Sequence, residues 1–363
     1  MASSTPLSYL DAEKLVRVPK TMWARHEFCF YIHDQMLHLL READASHMRS
    51  MEVDLTSEEQ QAFLATPEDP IGVLLQTSKR VETKRLLLNH VMLALTADML
   101  DFLYDGLIAL SKRKYVVGFA LLRKPLRETL FYLSLLLSDE EEFFRLFENG
   151  PAHGLRLREF RPDQRKSIFS GAINAMLIDD LFSATHLNDT VFDKSNPNGL
   201  AILFDQANHL VTSFNANLKT DSLNFNFVFK NPEDDDVFHT TYPQLAYALM
   251  YMFGIVTSLF SRTLPIDREY VGRLVLIMFA VYHSLFCRGS SGLLRQINLA
   301  FGELLKCSVC EMPFVIRKSN APRFFVAERM VCKRCGSDTD FPILWLLGQA
   351  KLSFAKPADA SPR

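Results

Sequence analysis

The sequence predicts a mainly α-helical fold, a multi-helix domain that carries a small C-terminal β-hairpin domain. Three observations carry that expectation. Apolar residues recur at helical spacing through most of the chain before Cys307, and proline and glycine rarely interrupt them. Hydrophobic residues make up 48% and charged residues 23%, the composition of a folded globular chain. Four of the six cysteines form two closely spaced pairs near the C-terminus, joined by segments that read as extended. A length of 363 residues suits about two or three domains.

Residues 1–20 read as an N-terminal extension. The stretch "MASSTPLSYLDAEKLVRVPK" lacks a basic segment followed by an apolar core, so it is not a secretory signal and a cytoplasmic location is expected. A helical domain is expected over 21–302. Its first helix runs from Trp23 to about Met48, with Phe30, Met36, Leu37 and Leu40 near one face. Thr56 and Glu59 make a capping-box pattern ahead of a short second helix. Residues 71–112 contain no proline and predict one long helix or two. Tyr115 to Leu137 is helical by pattern, and Pro125 in its middle predicts a kink. "SDEEEFFRLF" then starts another helix with acidic groups at its positive end.

Between about 149 and 243, Asn, Asp, Pro and Gly become frequent and predict a loop-rich insertion, with "LNFNFVF" (Leu223 to Phe229) alternating like a short strand. The apolar stretches 245–260 and 274–286 fall short of the ~20 residues that span a bilayer. They are expected as buried core helices, with no membrane partner. "SGLLRQINLAFGELL" forms a last helix, a cysteine-bearing domain follows over 303–346, and 347–363 reads as a tail. The Phe-rich, long-helix composition also suits a homo-oligomer.

The cysteine spacing is Cys307-x2-Cys310-x21-Cys332-x2-Cys335. Zn²⁺ takes four ligands tetrahedrally, and two intervening residues let a tight turn aim both thiolates at one ion. Gly336 suits the positive φ needed where the chain leaves the second pair. Between the pairs, "FVIRK" and "RFFVAERMV" read as two extended runs around a "SNAP" turn, a hairpin bringing the pairs together. Cys29 and Cys287 stand alone in apolar surroundings and read as buried thiols rather than disulfide partners. The segment from about Lys306 to Phe341 resembles a zinc ribbon of the rubredoxin-like, two-knuckle kind. That resemblance implies a structural Zn²⁺ in a closed four-thiolate shell, which folds the hairpin and does no chemistry. Iron on the same thiolates, or a redox CxxC pair, are the competing assignments; the redox pair needs a βαβ setting that the sequence does not offer.

The cysteine segment is basic. Arg317, Lys318, Arg323, Arg329, Lys333 and Arg334 face only Glu311 and Glu328, and Phe314, Phe324 and Phe325 are interleaved among them. Cations for phosphate beside rings for stacking suit RNA or single-stranded nucleic acid. Equally, the cations offset the net negative charge of a four-thiolate zinc centre while the rings form a minimal core. Docking of a protein partner fits the same residues. The formal net charge of -2 supplies no global field for nucleic acid, so any such binding must be local.

The helical segment "NHVMLALTADMLDFLYDGLIALSKRKYVVGFALLRKPLRETLFYL" resembles the paired helices of HEPN-like bacterial domains. The resemblance implies, as an alternative function, a metal-independent ribonuclease with a His for proton transfer and an Arg for phosphate charge. Arg85 with His90, and Arg41 with His47, have the matching spacing, although Leu86 stands where that family places a polar residue. Arg123 and Arg127 share a helix face and suit either a phosphate or an internal carboxylate from another helix. The run Glu233 to Asp236 suits a hard cation or a solvated loop. His33 and His38 do not share a helix face. Common nucleotide-binding and hydrolase motifs are absent.

Overall fold

Caps and prolines set most of the helix boundaries. The computed structural model describes residues 6–348 apart from 47, 177–180, 214–218, 228–229, 232 and 265–266. Helix α1 spans Trp23–Ala45, α2 Ser57–Ala65, α3 Pro70–Gln76 and α4 Arg80–Ser111. The capping box at α2 is present: the Glu59 N–H donates to Thr56 Oγ1 at 3.3 Å and the Thr56 N–H to Glu59 Oε2 at 2.9 Å. The run 71–112 resolves into two helices because Thr77 is extended, with its hydroxyl donating to Leu74 O and accepting from the Lys79 N–H.

Helix α5 (Tyr115–Arg123) passes into a π-helical turn, Lys124–Thr129, and then into α6 (Leu130–Ser138). Pro125 lacks the N–H for one α-helical bond, and a widened turn absorbs the defect. Helices α4 and α5 cross where Gly106 meets Gly118. A Cβ on either would come within 2.8 Å of a leucine side chain, so glycine at 106 is required by packing.

Next come α7 (Glu140–Glu148), α8 (Pro162–Ala175), α9 (Ala184–Val191), α10 (Leu200–Asn208), α11 (Asp236–Thr263), α12 (Arg268–Phe286) and α13 (Gly292–Phe301), besides shorter helical turns. Helix α11 lies at the centre, packed against α1, α6 and α12. Every residue from Leu245 to Phe260 is buried, which explains a helix apolar on all sides. By length and composition alone, Arg80–Ser111, Asp236–Thr263 and Glu269–Phe286 are long and apolar enough to cross a membrane; the apolar window of Asp236–Thr263 is 89% buried inside the protein. The phenylalanines form much of the core: Phe131 alone meets the rings of Tyr132, Phe160, Phe169 and Phe192.

Three sequence expectations are corrected. The stretch 149–243 carries α8, α9, α10 and the start of α11, because Pro162, Ser183 and Gly199 serve as helix starts as well as loop formers. Leu223 to Phe227 is not a strand: Leu223 and Phe227 have φ of 60°, and Asn226 ties the segment to the end of α10 by donating to His209 O. Residues 228 and 229 of that expected strand lie outside the described residues. On α1, the deeply buried face centres on Phe28, Ile32, Met36 and Leu39, while Leu37 and Leu40 are only half-buried.

Two polar groups inside α1 bear on stability. Glu27 is fully buried and accepts backbone N–H bonds from Leu7 at 2.6 Å, Tyr9 at 2.9 Å and Leu10 at 3.2 Å, tying the N-terminal segment to the helix. His26 is also fully buried; its Nδ1 pairs with the Tyr242 hydroxyl and Nε2 has no partner among the described residues. Burial pushes the His26 pKa down to about 3 from its usual 6.5. The unfolded chain therefore takes up a proton below pH 6.5 while the folded chain stays neutral until about pH 3. Stability should fall through that window with a contribution of about 1.4 kcal/mol per pH unit from this residue. Comparing His26→Phe with the native chain by urea unfolding at pH 7 and pH 5 checks this: the native chain should lose more stability between them.

Candidate metal centre

Each cysteine pair sits on its own turn. In the first, the Cys307 N–H donates to Met312 O at 3.0 Å and the Glu311 N–H to Cys307 O at 3.0 Å, beneath an isolated bridge between Lys306 and Pro313. In the second, the Cys332 N–H donates to Ser337 O at 2.8 Å and the Gly336 N–H to Cys332 O at 2.9 Å. Strands β1 (Arg329–Val331) and β2 (Asp338–Asp340) extend this second turn as an antiparallel pair. The two turns thus repeat one local plan.

The repeat explains an unusual backbone angle. Gly336 has φ of 73°, as its sequence position predicts, and Glu311 occupies the equivalent place with φ of 57°. A non-glycine residue there is disfavoured by roughly 1–2 kcal/mol. Nothing lies within 4 Å of a Cβ built on Gly336, so Gly336→Ala should lower stability by about 1 kcal/mol through backbone strain alone. Glu311→Gly should raise it by a similar amount. Thermal unfolding of the two variants checks the opposite signs.

The hairpin expected between the pairs is not formed among the described residues. "RFFVAERMV" begins as helix α14 (Ala321–Ala327), and only its end, β1, is extended. Pro322 in the first turn favours that helix, and Glu328 ends it in a left-handed conformation with φ of 54°. Helix α14 packs against α12 and buries Phe324 and Phe325. Phe314 and Phe324 both contact the ring of Phe341, so the rings of this segment form its core, and of the three only Phe314 also lines a neighbouring groove. Asn298 on α13 clamps the unit, accepting from the Ile316 N–H and donating to Ile316 O, both at 2.8 Å.

The four sulfurs all lie within 4.8 Å of one another. Cys307 Sγ is 3.6 Å from Cys335 Sγ, and Cys310 Sγ is 3.6 Å from Cys332 Sγ. A tetrahedral ion with metal–sulfur bonds of about 2.3 Å sets its sulfurs about 3.8 Å apart, so the cluster fits a metal ion. Disulfide bonding at about 2.05 Å is excluded, and all six cysteines are free.

Ser337 was not legible as a site residue. Its hydroxyl lies 3.0 Å from Cys307 Sγ and 2.9 Å from Cys335 Sγ, and the Val309 N–H donates to Cys307 Sγ at 3.4 Å. The Ser337 hydroxyl, with nearby backbone N–H groups, holds the Cys307 thiol down to about 5 and lowers Cys335 as well. At Cys310 the Met312 backbone draws the pKa down, but burial and the neighbouring thiols outweigh it and push it up to about 12. Cysteine ligates a metal as the thiolate, so metal binding at this cluster is coupled to proton release. The only sequence signal for Ser337 is its place directly after the turn glycine.

The six basic residues do not all converge. Arg317, Arg323, Arg329 and Lys333 line one groove of about 470 Å³, together with Met312, Val315 and Val331, which are half exposed. No carboxylate lines it, although Arg329 also pairs with Asp340 at 2.8 Å on its rim. Arg323 Nε is buried with no hydrogen-bond partner among the described residues. Lys318 instead donates to Cys287 O at 2.7 Å, and Arg334 is exposed outside the groove.

Other candidates disperse. Arg85 makes a two-bond ion pair with Glu140 at 2.8 and 2.9 Å, while His90 is exposed. Five positions on one α-helix turn the two about 140° apart, so α4 does not bring them together. His47 lies outside the described residues. Glu233, Asp234 and Asp235 pair with Arg17, Lys230 and Arg113 respectively, which offsets the charge a hard cation would need. Arg127 does face a carboxylate from another helix, Asp205, but at 3.7 Å.

Comparison with protein-family models, curated proteins and solved structures returns no significant match.

Proposed function

We propose that residues 306–341 form a zinc ribbon, with Cys307, Cys310, Cys332 and Cys335 holding a structural Zn²⁺, and that the adjoining groove binds single-stranded nucleic acid. The observation that carries the reading is the convergence of Arg317, Arg323, Arg329 and Lys333 on one acid-free groove. Four thiolates close the shell, leaving no position for substrate, so the ion acts by folding the unit. The cations then address phosphates, and recognition is backbone-led because Phe324 and Phe325 are buried and Phe314, which lines the groove, is 9% exposed. Binding should therefore be salt-dependent and tolerant of sequence. Reduced thiols and a thiolate-bound ion suit a cytoplasmic protein.

The exposed Met312, Val315 and Val331 favour one second reading, an acidic protein segment docked in the same groove. Fluorescence anisotropy with a single-stranded RNA decides between them. The double variant Arg323→Ala, Arg329→Ala should bind at least about tenfold more weakly and reduce the slope of log K against log salt by about 1.4. RNA affinity unchanged in that variant would remove nucleic acid from the groove.

A further inference from the structure

A second cavity, of about 400 Å³, gathers Arg123, Arg127, Arg156, Arg158 and Arg165 around Glu128, Tyr132 and Phe192. These guanidinium groups come from distant stretches: the end of α5 and the π-helical turn after it, the short segment before α8, and α8 itself. Arg123 and Arg127 are paired by their helical spacing, and Arg156, Arg158 and Arg165 join them only through tertiary structure. The π-helical turn forced by Pro125 lies between Arg123 and Leu130 and carries Arg127 into the cavity lining.

The cluster is only partly neutralised internally. Arg123 lies 3.6 Å from Glu128, Arg156 lies 3.6 Å from Glu159, and Arg127 lies 3.7 Å from Asp205. None of these is a close two-bond pair, and Asp205 is already shared with Lys194. Arg158 and Arg165 have no carboxylate within 4 Å among the described residues. Arg165 is instead held by two neutral acceptors, Asn188 Oδ1 at 3.1 Å and Phe160 O at 2.6 Å.

Two of the guanidinium groups are also poorly placed for water. The Arg127 side chain is only 17% exposed, and its Nε is buried with no hydrogen-bond partner among the described residues. Arg127 and Arg165 both lie over the ring of Phe192, at 5.4 and 4.7 Å from its centroid, so one ring holds two like charges near each other. Burial destabilises the charged form of each, and a neighbouring arginine adds to this in both cases. Like charges gathered in a concavity, with an unmet donor, are stabilised by a multivalent anion that accepts from several of them.

We infer that this cavity binds a small phosphate-bearing molecule of nucleotide size with at least two negative charges. Planar guanidinium forks match phosphate oxygens two bonds at a time, and a volume of about 400 Å³ falls within the range of small-molecule sites. The inference is independent of the zinc unit and its groove.

Isothermal titration calorimetry on the full metal-loaded chain tests it, with ADP, pyrophosphate and orthophosphate as probes and succinate as a phosphate-free dianion. ADP or pyrophosphate should bind at one site, and Arg156→Gln and Arg158→Gln, both exposed side chains, should each weaken binding by at least about tenfold. Arg127→Gln should abolish it, with circular dichroism confirming the fold. Tighter binding of ADP than pyrophosphate assigns a nucleotide, and equal binding assigns an inorganic polyphosphate; both support the site. No saturable heat up to about 1 mM, equal binding of succinate, or affinity unchanged in the exposed variants would overturn it. So would a single-stranded oligonucleotide that binds more tightly than ADP and is lost in the same variants.

Discussion

Removing the metal with a strong chelator is expected to unfold residues 306–341 while most of the helical core persists. The unit has little else to stand on. Its sheet is two strands of three residues each, its core is a few rings around Phe341, and pieces this small are not stable alone. Structural zinc supplies about 10–16 kcal/mol in comparable small domains, as much as a whole domain's usual net stability of about 5–15 kcal/mol. Cys332→Ser should reproduce the effect, because Cys332 is buried and its sulfur lies 3.6 Å from that of Cys310. Hydrogen exchange should show protection lost over 306–341 and kept in α11. Uniform protection after chelation would mean that the rings and the Asn298 clamp hold the unit without an ion.

The second large effect is expected at Glu27. Its carboxylate is buried and receives three backbone N–H groups from Leu7, Tyr9 and Leu10. Hydrogen bonds to a charged group contribute about 1.5–3 kcal/mol each, less where the released N–H groups recover water. Glu27→Ala should therefore lower stability by about 3–5 kcal/mol and release the N-terminal segment. Urea unfolding measures the loss, and limited proteolysis before Trp23 reports the release. A loss under about 1 kcal/mol would show that the segment is held by its apolar contacts alone.

Features written in short-range chemistry were legible in the sequence. The Thr56–Glu59 box, the defect at Pro125, the left-handed turn at Gly336 and the four cysteines each depend on a few neighbouring residues. What escaped was set by tertiary context. Phe324 and Phe325 favour a strand by propensity, yet α14 is helical because, packed against α12, it buries both rings, with Phe324 against Phe341. "LNFNFVF" alternates correctly but has no partner strand among the described residues, and Asn226 bonds to His209 O instead of a strand neighbour. Beyond the Arg123–Arg127 pair, the arginine cavity and the role of Ser337 depend on contacts between segments far apart in the chain, which no spacing rule encodes.

The account rests on one coordination sphere. X-ray absorption at the zinc edge of the full chain, with metal content measured on the same sample, tests it directly. One zinc per chain with four sulfur neighbours at about 2.3 Å is the expected result. Iron in its place, nitrogen or oxygen in the first shell, or a metal-free protein with paired disulfides would contradict it.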